Sequence, residues 1–466
     1  MIKLNPQELA QACGGCWLPA PPPVIRGVTI DTRSLQPGML FMALRGDRRD
    51  GHDFVRQALA AGAAGVALEA HHPLSRQDVP GPILVVPDTR RALREMAAAV
   101  RRSSSACFVG ITGSAGKTTV KEMTADVLAV RCPIGRTRGN WNNDLGLPLS
   151  LLNMPSNVRA GVFEVGINHP GEMDQLCGIL APDWGVITCI GPVHIEFFGK
   201  EEAIAREKSR LLRALPANGL SIFRADDRWA SLLRAAAPGR VMTVALDAAA
   251  GADLCAEYGA EGGVFIRERG GGRQGLQPPL PGRHNLVNLL LAAAAGRAWG
   301  LSWAEIIGAL EGYRGQPMRW ERRCCRGVLF VNDAYNANPL SMREALITFA
   351  GLTQPDKWLV LGDMLELGPA AAALHAELGR QVAGYPWRGV ILVGPLAALV
   401  AEAAVPLGMP AERFYLCPDA AAAAEIMERE LRPGDCVLLK GSRGVGLERA
   451  LAWLKEPVED QPDADA

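Results

Sequence analysis

The sequence lacks any excess of charge of one sign. Its 466 residues carry 49 lysines and arginines against 49 aspartates and glutamates. Proteins that bind nucleic acid usually have a basic domain or stripe, so this balance argues against such a partner. The sequence also lacks an N-terminal basic segment followed by an apolar one, and its longest apolar stretch, 286–295, is too short to span a bilayer. We therefore expect a cytoplasmic protein without membrane insertion.

Regularly paired cysteines are lacking too. The eleven cysteines are an odd number scattered over the chain. In a reducing compartment most such residues are small buried side chains. Cys13 and Cys16 have the spacing of half a zinc site or of a redox motif, yet no second pair in the sequence has matching spacing. We interpret these cysteines as structural, with a metal or redox role as the alternative.

The chain is long enough for about three domains of ordinary size. Polar breaks at 101–105 and 314–317 suggest where the domains meet, and the acidic tail after residue 456 is expected to be disordered. The predicted domains are residues 1–103, 104–316 and 317–466.

Short apolar runs alternate with helical stretches in the second and third domains. The predicted strands are 107–112, 161–165, 184–190, 219–223, 327–332, 357–362, 389–393 and 435–440. Apolar strands that alternate with helices predict an α/β fold with parallel sheets covered on both faces. Such sheets bind ligands at the carboxyl ends of their strands, where the motifs described next are found.

A glycine-rich loop follows the strand 107–112 and precedes a predicted helix. It consists of Gly113, Ser114, Ala115, Gly116, Lys117, Thr118 and Thr119. Glycines let backbone N–H groups approach phosphate oxygens, Lys117 neutralises them, and the Thr118 hydroxyl is a ligand for Mg²⁺. Ile111 stands where the usual motif has its first glycine. The loop predicts binding of ATP phosphates, with a glycine-rich turn and a surface lysine as the alternative.

Three further residues are candidates for the metal side of this site. Glu164 ends an apolar strand, which indicates a bound cation or a satisfied structural carboxylate. His194 lies just beyond a strand end and is either a ligand or a structural histidine. Lys208 lies in the charged helical stretch 201–215, whose periodicity favours a solvent-exposed lysine.

Together these motifs resemble the Mur ligases of bacterial cell-wall synthesis, which join an amino acid or dipeptide to a UDP-muramoyl-peptide. The resemblance extends from Asp31 to about Glu448. It implies a small α/β UDP-binding N-terminal domain, a central P-loop ATPase-like parallel sheet and a C-terminal Rossmann-like domain. It also implies that Thr118, Glu164, His194 and Lys208 are the Mg²⁺ ligands, with Lys208 carbamylated by CO₂. The family usually has a glutamate two positions after this lysine, whereas this chain has Arg210.

The resemblance assigns further residues to the nucleotide and to the sugar substrate. Asn285 and Asn288 are expected to contact adenine. The alternative for Asn285 is a structural role as a helix cap. Arg319 and Asp333 are expected to close over the ATP phosphates. The residues expected at the UDP-sugar and muramoyl groups are Asp31, Thr32, Arg33, Gly51, His52, Asn142 and Asn143.

The third domain carries the choice of amino substrate. The segment 333–339 reads DAYNANP and resembles family members that add D-alanyl-D-alanine to UDP-N-acetylmuramoyl-tripeptide. The residues expected at the dipeptide are Tyr335, Asn336, Asn338, Lys440, Ser442 and Arg443. The implied reaction is ATP-dependent and passes through an acyl phosphate, with Lys117, Glu164, His194 and Lys208 as catalytic residues. We expect a monomer.

Other functions fit parts of this pattern. Within the same enzyme class, the chain could add diaminopimelate or lysine, or it could be a folylpolyglutamate synthetase. A P-loop NTPase switch belongs to a different class and predicts ATP hydrolysis without any muropeptide. The switch explains none of the asparagine-rich motifs.

Overall fold

The structure is a computed structural model that describes residues 3–46, 49–72, 79–258 and 263–452. The acidic tail predicted after residue 456 lies outside these residues. Three sheets follow one another along the chain. Within the described ranges, no helix combines the length and the apolar character needed to cross a bilayer.

The first sheet has five strands in the order β1-β5-β4-β3-β2, with β1 alone antiparallel to its neighbour. Its strands are β1 (Cys16–Leu18), β2 (Val28–Thr29), β3 (Leu40–Met42), β4 (Gly65–Glu69) and β5 (Ile83–Val86). Its helices are α1 (Pro6–Ala12), α2 (Val55–Ala60) and α3 (Thr89–Ser103). The Asp88 side chain accepts a hydrogen bond from Arg91 N at 2.6 Å and so caps the start of α3.

The second sheet has nine strands in the order β14-β13-β12-β11-β10-β9-β6-β8-β7. Its strands are β6 (Cys107–Thr112), β7 (Ile134–Arg136), β8 (Ala160–Glu164), β9 (Trp184–Ile187), β10 (Leu220–Arg224), β11 (Arg240–Ala245), β12 (Leu254–Tyr258), β13 (Val264–Glu268) and β14 (Arg273–Leu276). Its helices are α4 (Lys117–Ala129), α5 (Gly146–Leu152), α6 (Glu172–Leu180), α7 (Ile195–Phe198), α8 (Glu201–Arg213), α9 (Ala230–Ala236), α10 (Arg283–Ala298) and α11 (Trp303–Glu311). Strands β6 to β12 pair in parallel, whereas β13 and β14 pair antiparallel at one edge.

The third sheet has six strands in the order β15-β16-β20-β17-β18-β19. Its strands are β15 (Glu321–Cys325), β16 (Val328–Asn332), β17 (Lys357–Gly362), β18 (Gly389–Val393), β19 (Phe414–Cys417) and β20 (Cys436–Lys440). Its helices are α12 (Pro339–Ala350), α13 (Ala371–Val382), α14 (Ala398–Ala404), α15 (Ala420–Glu430) and α16 (Glu448–Ala452). All its strand pairs are parallel except β15 with β16.

The predicted α/β class is confirmed, and each of the eight predicted strands matches a strand of the second or third sheet. The run 184–190 is longer than its strand, because β9 ends at Ile187 and the next residues turn toward the phosphate loop. The antiparallel strands β13, β14 and β15 were not predicted. Their side chains are only partly buried, so they lack the continuous apolar runs of the central strands.

The register of the second sheet brings the metal-side candidate to the phosphate loop. Strand β6 lies between β8 and β9, and Ile111 pairs with Glu164 on one side and with Val186 on the other. Because all three strands are parallel, their carboxyl ends lie at one edge of the sheet. Glu164, the last residue of β8, therefore lies beside the loop that follows β6.

Ile111 also explains the departure of the loop from the usual motif. Its side chain is completely buried in the core that contains Val120 and Leu290. This position is the fifth residue of the six-residue strand β6 and not part of the loop. Restoring a glycine here would remove core volume without changing the phosphate-binding backbone.

We predict that Ile111→Gly lowers the free energy of unfolding by about 4 kcal/mol, because the substitution leaves a cavity and loosens a central strand. Urea denaturation measures this change. The matched control is Leu416→Gly in the edge strand β19, where the side chain is 63% exposed. The control should cost about 1 kcal/mol or less. Equal losses for the two variants would contradict the burial argument.

Candidate active site

A cleft of about 1190 Å³ lies between the second and third sheets. Most of the predicted nucleotide and dipeptide residues line it. Those lining it are Ser114, Ala115, Gly116, Lys117, Thr119, Asn142, Asn143, Glu164, His194, Asn285, Asn288, Arg319, Asp333, Tyr335, Asn336, Asn338, Lys440 and Arg443. Residues more than 200 positions apart in the chain are thus brought to one surface.

The phosphate loop is shaped by two glycines and tied to the end of β9. A Cβ atom at Gly113 would lie 1.9 Å from Thr188 Oγ1, so no larger residue fits there. Gly116 has a φ of +79°, and a Cβ atom there would lie 2.5 Å from Asn288 Oδ1. Ser114 N donates to Cys189 O at 2.8 Å. The need for glycine therefore falls within the loop, and position 111 is free to hold isoleucine.

Glu164 and Thr118 form the polar centre of the cleft. Glu164 is only 2% exposed, and its Oε2 accepts a hydrogen bond from Thr118 Oγ1 at 2.7 Å. Its Oε1 accepts from Asn142 Nδ2 at 2.7 Å, and its backbone N–H donates to Thr137 Oγ1 at 2.9 Å. Arg319 of the third domain donates from Nη2 to Thr118 Oγ1 at 2.8 Å. Thr118 and Asn142 thus orient the two oxygens of the Glu164 carboxylate, and Thr137 fixes the backbone of this residue.

Two lysines lie near this centre: Lys117 is partly buried and lines the cleft, whereas Lys208 is fully buried. Burial lowers the pKa of Lys117, and the charge of Glu164 opposes that shift. Lys117 Nζ donates to Gly113 O at 2.9 Å. Burial, reinforced by the charge of Lys117, lowers the pKa of Lys208 from 10.5 to about 7. The positive charge of Lys117 therefore disfavours the protonated form of Lys208.

The solvent-exposed position that periodicity favours for Lys208 is wrong, because the residue is only 1% exposed. It lies on the apolar face of α8 with Ala205 and Leu212. Within the described part of the chain, its Nζ makes no hydrogen bond. Because the stretch 201–215 contains many charged residues, its helical periodicity does not predict that Lys208 is buried.

Arg210, which departs from the family pattern, turns away from the cleft. It forms ion pairs with Asp174 and with Glu207, the latter at 3.3 Å. Glu207 in turn accepts hydrogen bonds from Gly171 N at 2.8 Å and Met173 N at 3.1 Å. These contacts join α8 to the start of α6 and leave Lys208 without a carboxylate from position 210.

His194 has a φ of +52° and contacts the third domain. Its Nδ1 lies 2.5 Å from Glu366 Oε2. The sequence alone assigns no role to Glu366, which lies in the segment 361–368. Only the tertiary structure brings the carboxylate to the histidine.

The predicted adenine residues lie on the first two turns of α10. Asn285 Nδ2 donates to Pro281 O at 2.8 Å, and Asn288 Nδ2 donates to Asn285 Oδ1 at 3.2 Å. The capping interpretation of Asn285 is wrong, because the N-cap position is Gly282 and Asn285 lies inside the helix. Both amides face the cleft beside Gly116.

The third-domain residues form a compact polar turn at the carboxyl ends of β16 and β20. Lys440 Nζ donates to Asp333 Oδ2 at 2.6 Å and to Asn336 O at 3.2 Å. Asn338 caps α12 by accepting from Ser341 N at 2.9 Å. Arg319 stacks over the Tyr335 ring at 4.1 Å. Each predicted side chain is thus held in a defined place before any substrate binds.

Other predicted residues lie outside the cleft surface. Gly113 and Thr118 belong to the loop but do not line the cleft, Lys208 is buried, and Ser442 is buried with its Oγ accepting from Leu365 N at 2.9 Å. The predicted residues of the first domain also lie outside the cleft: Asp31, Thr32, Arg33, Gly51 and His52. The structure therefore separates the predicted UDP-sugar residues from the nucleotide residues.

The predicted first-domain residues have local structural roles. Asp31 pairs with the exposed Arg33 at 2.6 Å and accepts from its backbone N–H. His52 is buried, and its Nδ1 lies 2.6 Å from Asp50 Oδ1. Gly51 is required by close packing, since a Cβ atom there would lie 2.7 Å from Leu44 N. These contacts shape loops at the carboxyl ends of short parallel strands.

Sequence reasoning missed three residues that support the site. Thr137 accepts from Glu164 N at 2.9 Å, and Thr188 donates to Ala115 O at 2.5 Å. Glu366 contacts His194 from the third domain. The two threonines have no sequence signal, because single threonines in strands and loops are common. Glu366 lies in a loop after β17, and its contact with His194 likewise has no local sequence signal.

A parallel sheet has a phosphate loop at its carboxyl edge, a buried carboxylate beside that loop and a second α/β domain facing it. These features define a P-loop enzyme with a cleft between two domains. Comparison with known families narrows this class. Residues 24–101 match the model of the Mur ligase family, catalytic domain. Residues 111–296 match the Mur ligase middle domain, and residues 318–443 match the Mur ligase, glutamate ligase domain.

Individual relatives agree with these matches. The chain is 34% identical to UDP-N-acetylmuramoyl-tripeptide–D-alanyl-D-alanine ligase of Bacillus subtilis over 93% of this chain and 94% of that protein. It resembles a crystal structure of MurF from Acinetobacter baumannii with a TM-score of 0.86 and 31% identity, covering 97% and 99% of the two chains. MurF from Thermotoga maritima in complex with ADP gives a TM-score of 0.76 and 28% identity, covering 92% and 97%. The chain belongs to the Mur ligase family.

We predict that Lys208→Met stabilises the ligand-free enzyme in CO₂-depleted buffer. The unfolded chain binds a proton at this lysine below about pH 10.4, whereas the folded protein does so only below about pH 7. Stability of the wild type therefore rises with pH between these values, and methionine removes the penalty at neutral pH. At pH 7 the Tm should rise by about 5 °C or more, and the gain should shrink toward pH 10.

Thermal denaturation at several pH values measures this effect. The matched control is Lys200→Met at the start of the same helix, where the side chain is 73% exposed. Its Tm should stay within about 1 °C of the wild type. A Lys208→Met enzyme no more stable than the wild type at pH 7 would show that the buried amine is not penalised.

Proposed function

We propose that this chain joins D-alanyl-D-alanine to UDP-N-acetylmuramoyl-tripeptide at the expense of ATP, giving UDP-N-acetylmuramoyl-pentapeptide, ADP and phosphate in peptidoglycan precursor synthesis. The observation that carries the proposal is the meeting of two segments at one cleft. Asn338 of the DAYNANP turn donates from Nδ2 to Ser114 O of the phosphate loop at 3.4 Å. A phosphate and an amino substrate held by these segments would be neighbours.

The chemistry requires a carboxylate oxygen to become a leaving group. The tripeptide carboxylate attacks the γ-phosphorus of ATP, the bond to ADP breaks, and an acyl phosphate forms. The dipeptide amine then attacks the acyl carbon, phosphate leaves and the amine loses a proton. Two anions meet in the first step, so charge neutralisation is the main catalytic need. Lys117 lies in the phosphate loop, and Arg319 adds positive charge beside Thr118.

The donor atoms near the loop fit Mg²⁺. The Thr118 hydroxyl and the Glu164 carboxylate offer hard oxygen ligands 2.7 Å apart, and this carboxylate is too buried to lack a cationic partner. We assign His194 and carbamylated Lys208 to the same set. Bound Mg²⁺ would neutralise phosphate oxygens during transfer. Glu164 ends strand β8, Thr118 and Lys208 lie on helices α4 and α8, and His194 precedes α7, so this chain would present the ligands from several fixed elements.

Lys208 has the properties of a lysine that reacts with CO₂. A pKa of about 7 leaves much of its amine neutral at physiological pH. The reaction forms an N–C bond to CO₂ and releases a proton, which converts a cation into an anionic oxygen ligand. The new negative charge would also offset the nearby charge of Lys117. The same burial that disfavours the ammonium thus favours the carbamate.

The three predicted domains would divide the substrates among them. We assign 1–103 to the UDP-sugar, 104–316 to ATP and 317–466 to the dipeptide, in a cytoplasmic enzyme that acts as a monomer. Asn142 and Asn143 would face the muramoyl group. For the dipeptide carboxylate we favour Arg443, which lines the cleft with a side chain 54% exposed and pairs with Glu448 at 3.0 Å near the surface. Lys440 is already paired with Asp333.

We predict that phosphate release with UDP-N-acetylmuramoyl-tripeptide and ATP depends on D-alanyl-D-alanine. Diaminopimelate, lysine and glutamate should each support less than about 1% of that rate, because the asparagine-rich turn then meets a substrate without the second residue. A coupled phosphate assay with the four amino substrates in parallel measures this. Equal activity with any single amino acid would refute the choice of dipeptide. ATP hydrolysis independent of a muropeptide would favour an NTPase switch.

We predict that Lys208→Ala reduces kcat by about 1000-fold or more, because the site loses an anionic metal ligand. A short carboxylic acid such as acetate, added at high concentration, should restore part of the activity by supplying the missing oxygen. Lys200→Ala serves as the exposed control and should retain full activity. Full activity of Lys208→Ala without added acid would remove Lys208 from the site.

A further inference from the structure

One contact joins a proposed metal ligand to the opposite domain. His194 Nδ1, just beyond the end of β9, lies 2.5 Å from Oε2 of Glu366, which follows β17. Both side chains line the cleft. The His194 side chain is 17% exposed and that of Glu366 is 47% exposed, so the pair lies at the mouth of the cleft rather than in its floor. The contact therefore forms only where the two domains approach each other.

The backbone on both sides of this contact is strained. His194 has a φ of +52° and Glu366 a φ of +61°. The left-handed region is unfavourable for residues other than glycine, and such residues persist there only where the surroundings require them. Two such residues facing each other across one interface indicate a geometry that serves a function.

The neighbouring turn is built for the same approach. Gly368 has a φ of +51°, and a Cβ atom there would lie 3.1 Å from Glu196 Cβ. A larger residue at this position would push the turn away from α7. The glycine therefore lets the third domain come close enough for Glu366 to contact His194.

The contact also defines which ring nitrogen is available. An ionised carboxylate only accepts hydrogen bonds, so His194 Nδ1 must carry the proton. The neutral ring then has its lone pair on Nε2, the atom left free to bind a metal ion. Histidine ligands of metals are commonly held in this way by a carboxylate on the other nitrogen.

We propose that Glu366 is a positioning residue that orients His194 and sets its tautomer for Mg²⁺ binding. Because Glu366 belongs to the third domain, this unit is complete only when that domain lies against the middle domain. Closure over the substrates and completion of the metal site thus become one event. This inference rests on the proposed role of His194 as a metal ligand.

Mn²⁺ binding tests this inference independently of turnover. Free Mn²⁺ is measured by electron paramagnetic resonance in titrations of the full-length enzyme with a non-hydrolysable ATP analogue. Glu366→Ala should weaken Mn²⁺ binding about 10- to 100-fold, the usual effect of losing such a carboxylate. Glu366→Gln retains an acceptor oxygen at the same reach and should bind Mn²⁺ more tightly than Glu366→Ala. In the ligase reaction, the KM for Mg²⁺ should rise more than kcat falls.

Two further variants separate the possible outcomes. Glu377→Gln on α13 removes an exposed carboxylate paired with Arg380 and should bind Mn²⁺ like the wild type. His194→Ala should weaken binding at least as much as Glu366→Ala. If His194→Ala weakens binding and both Glu366 variants do not, the positioning role is overturned while the proposed function stands. Unchanged binding in His194→Ala would instead overturn the proposed metal ligands.

Discussion

The site depends on a buried carboxylate that has to be compensated. Glu164 ends a central parallel strand at 2% exposure, where an unpaired charge would cost several kcal/mol. The register of β8 with β6 brings it to the phosphate loop, and Thr118, Asn142 and Thr137 orient it. A carboxylate held this way is ready for a cation, so the strand pairing and the proposed metal chemistry have one physical origin.

The positive charges of Lys117 and Lys208 also need compensation, by negative charge. Lys208 is fully buried and Lys117 partly buried, and desolvation lowers the pKa of each. An ATP phosphate beside Lys117 and a carbamate at Lys208 would supply the missing negative charge. These two lysines therefore lack compensating negative charge until ATP and the carbamate are present. Their electrostatic stabilisation is thus greatest in the reacting complex.

The third domain contributes side chains that contact the phosphate loop of the middle domain and so complete the cleft. Arg319 reaches Thr118 at 2.8 Å, and Asn338 reaches the Ser114 carbonyl at 3.4 Å. Each contact joins a residue of the third domain to the phosphate loop or to its first helical turn. Separation of the domains would break these contacts, expose the nucleotide and admit water to a reactive acyl phosphate.

Local patterns were enough to predict the α/β class, the eight central strands and the phosphate loop. Apolar runs and glycine spacing record the period of a strand and the shape of a turn, and both are properties of neighbouring residues. The burial of Lys208, the position of Asn285 inside α10 and the contact of Glu366 with His194 were decided by the tertiary structure. Each depends on which elements pack together across long sequence distances. The residues that flank Lys208, Asn285 and Glu366 in the sequence do not indicate which partners these side chains contact after packing.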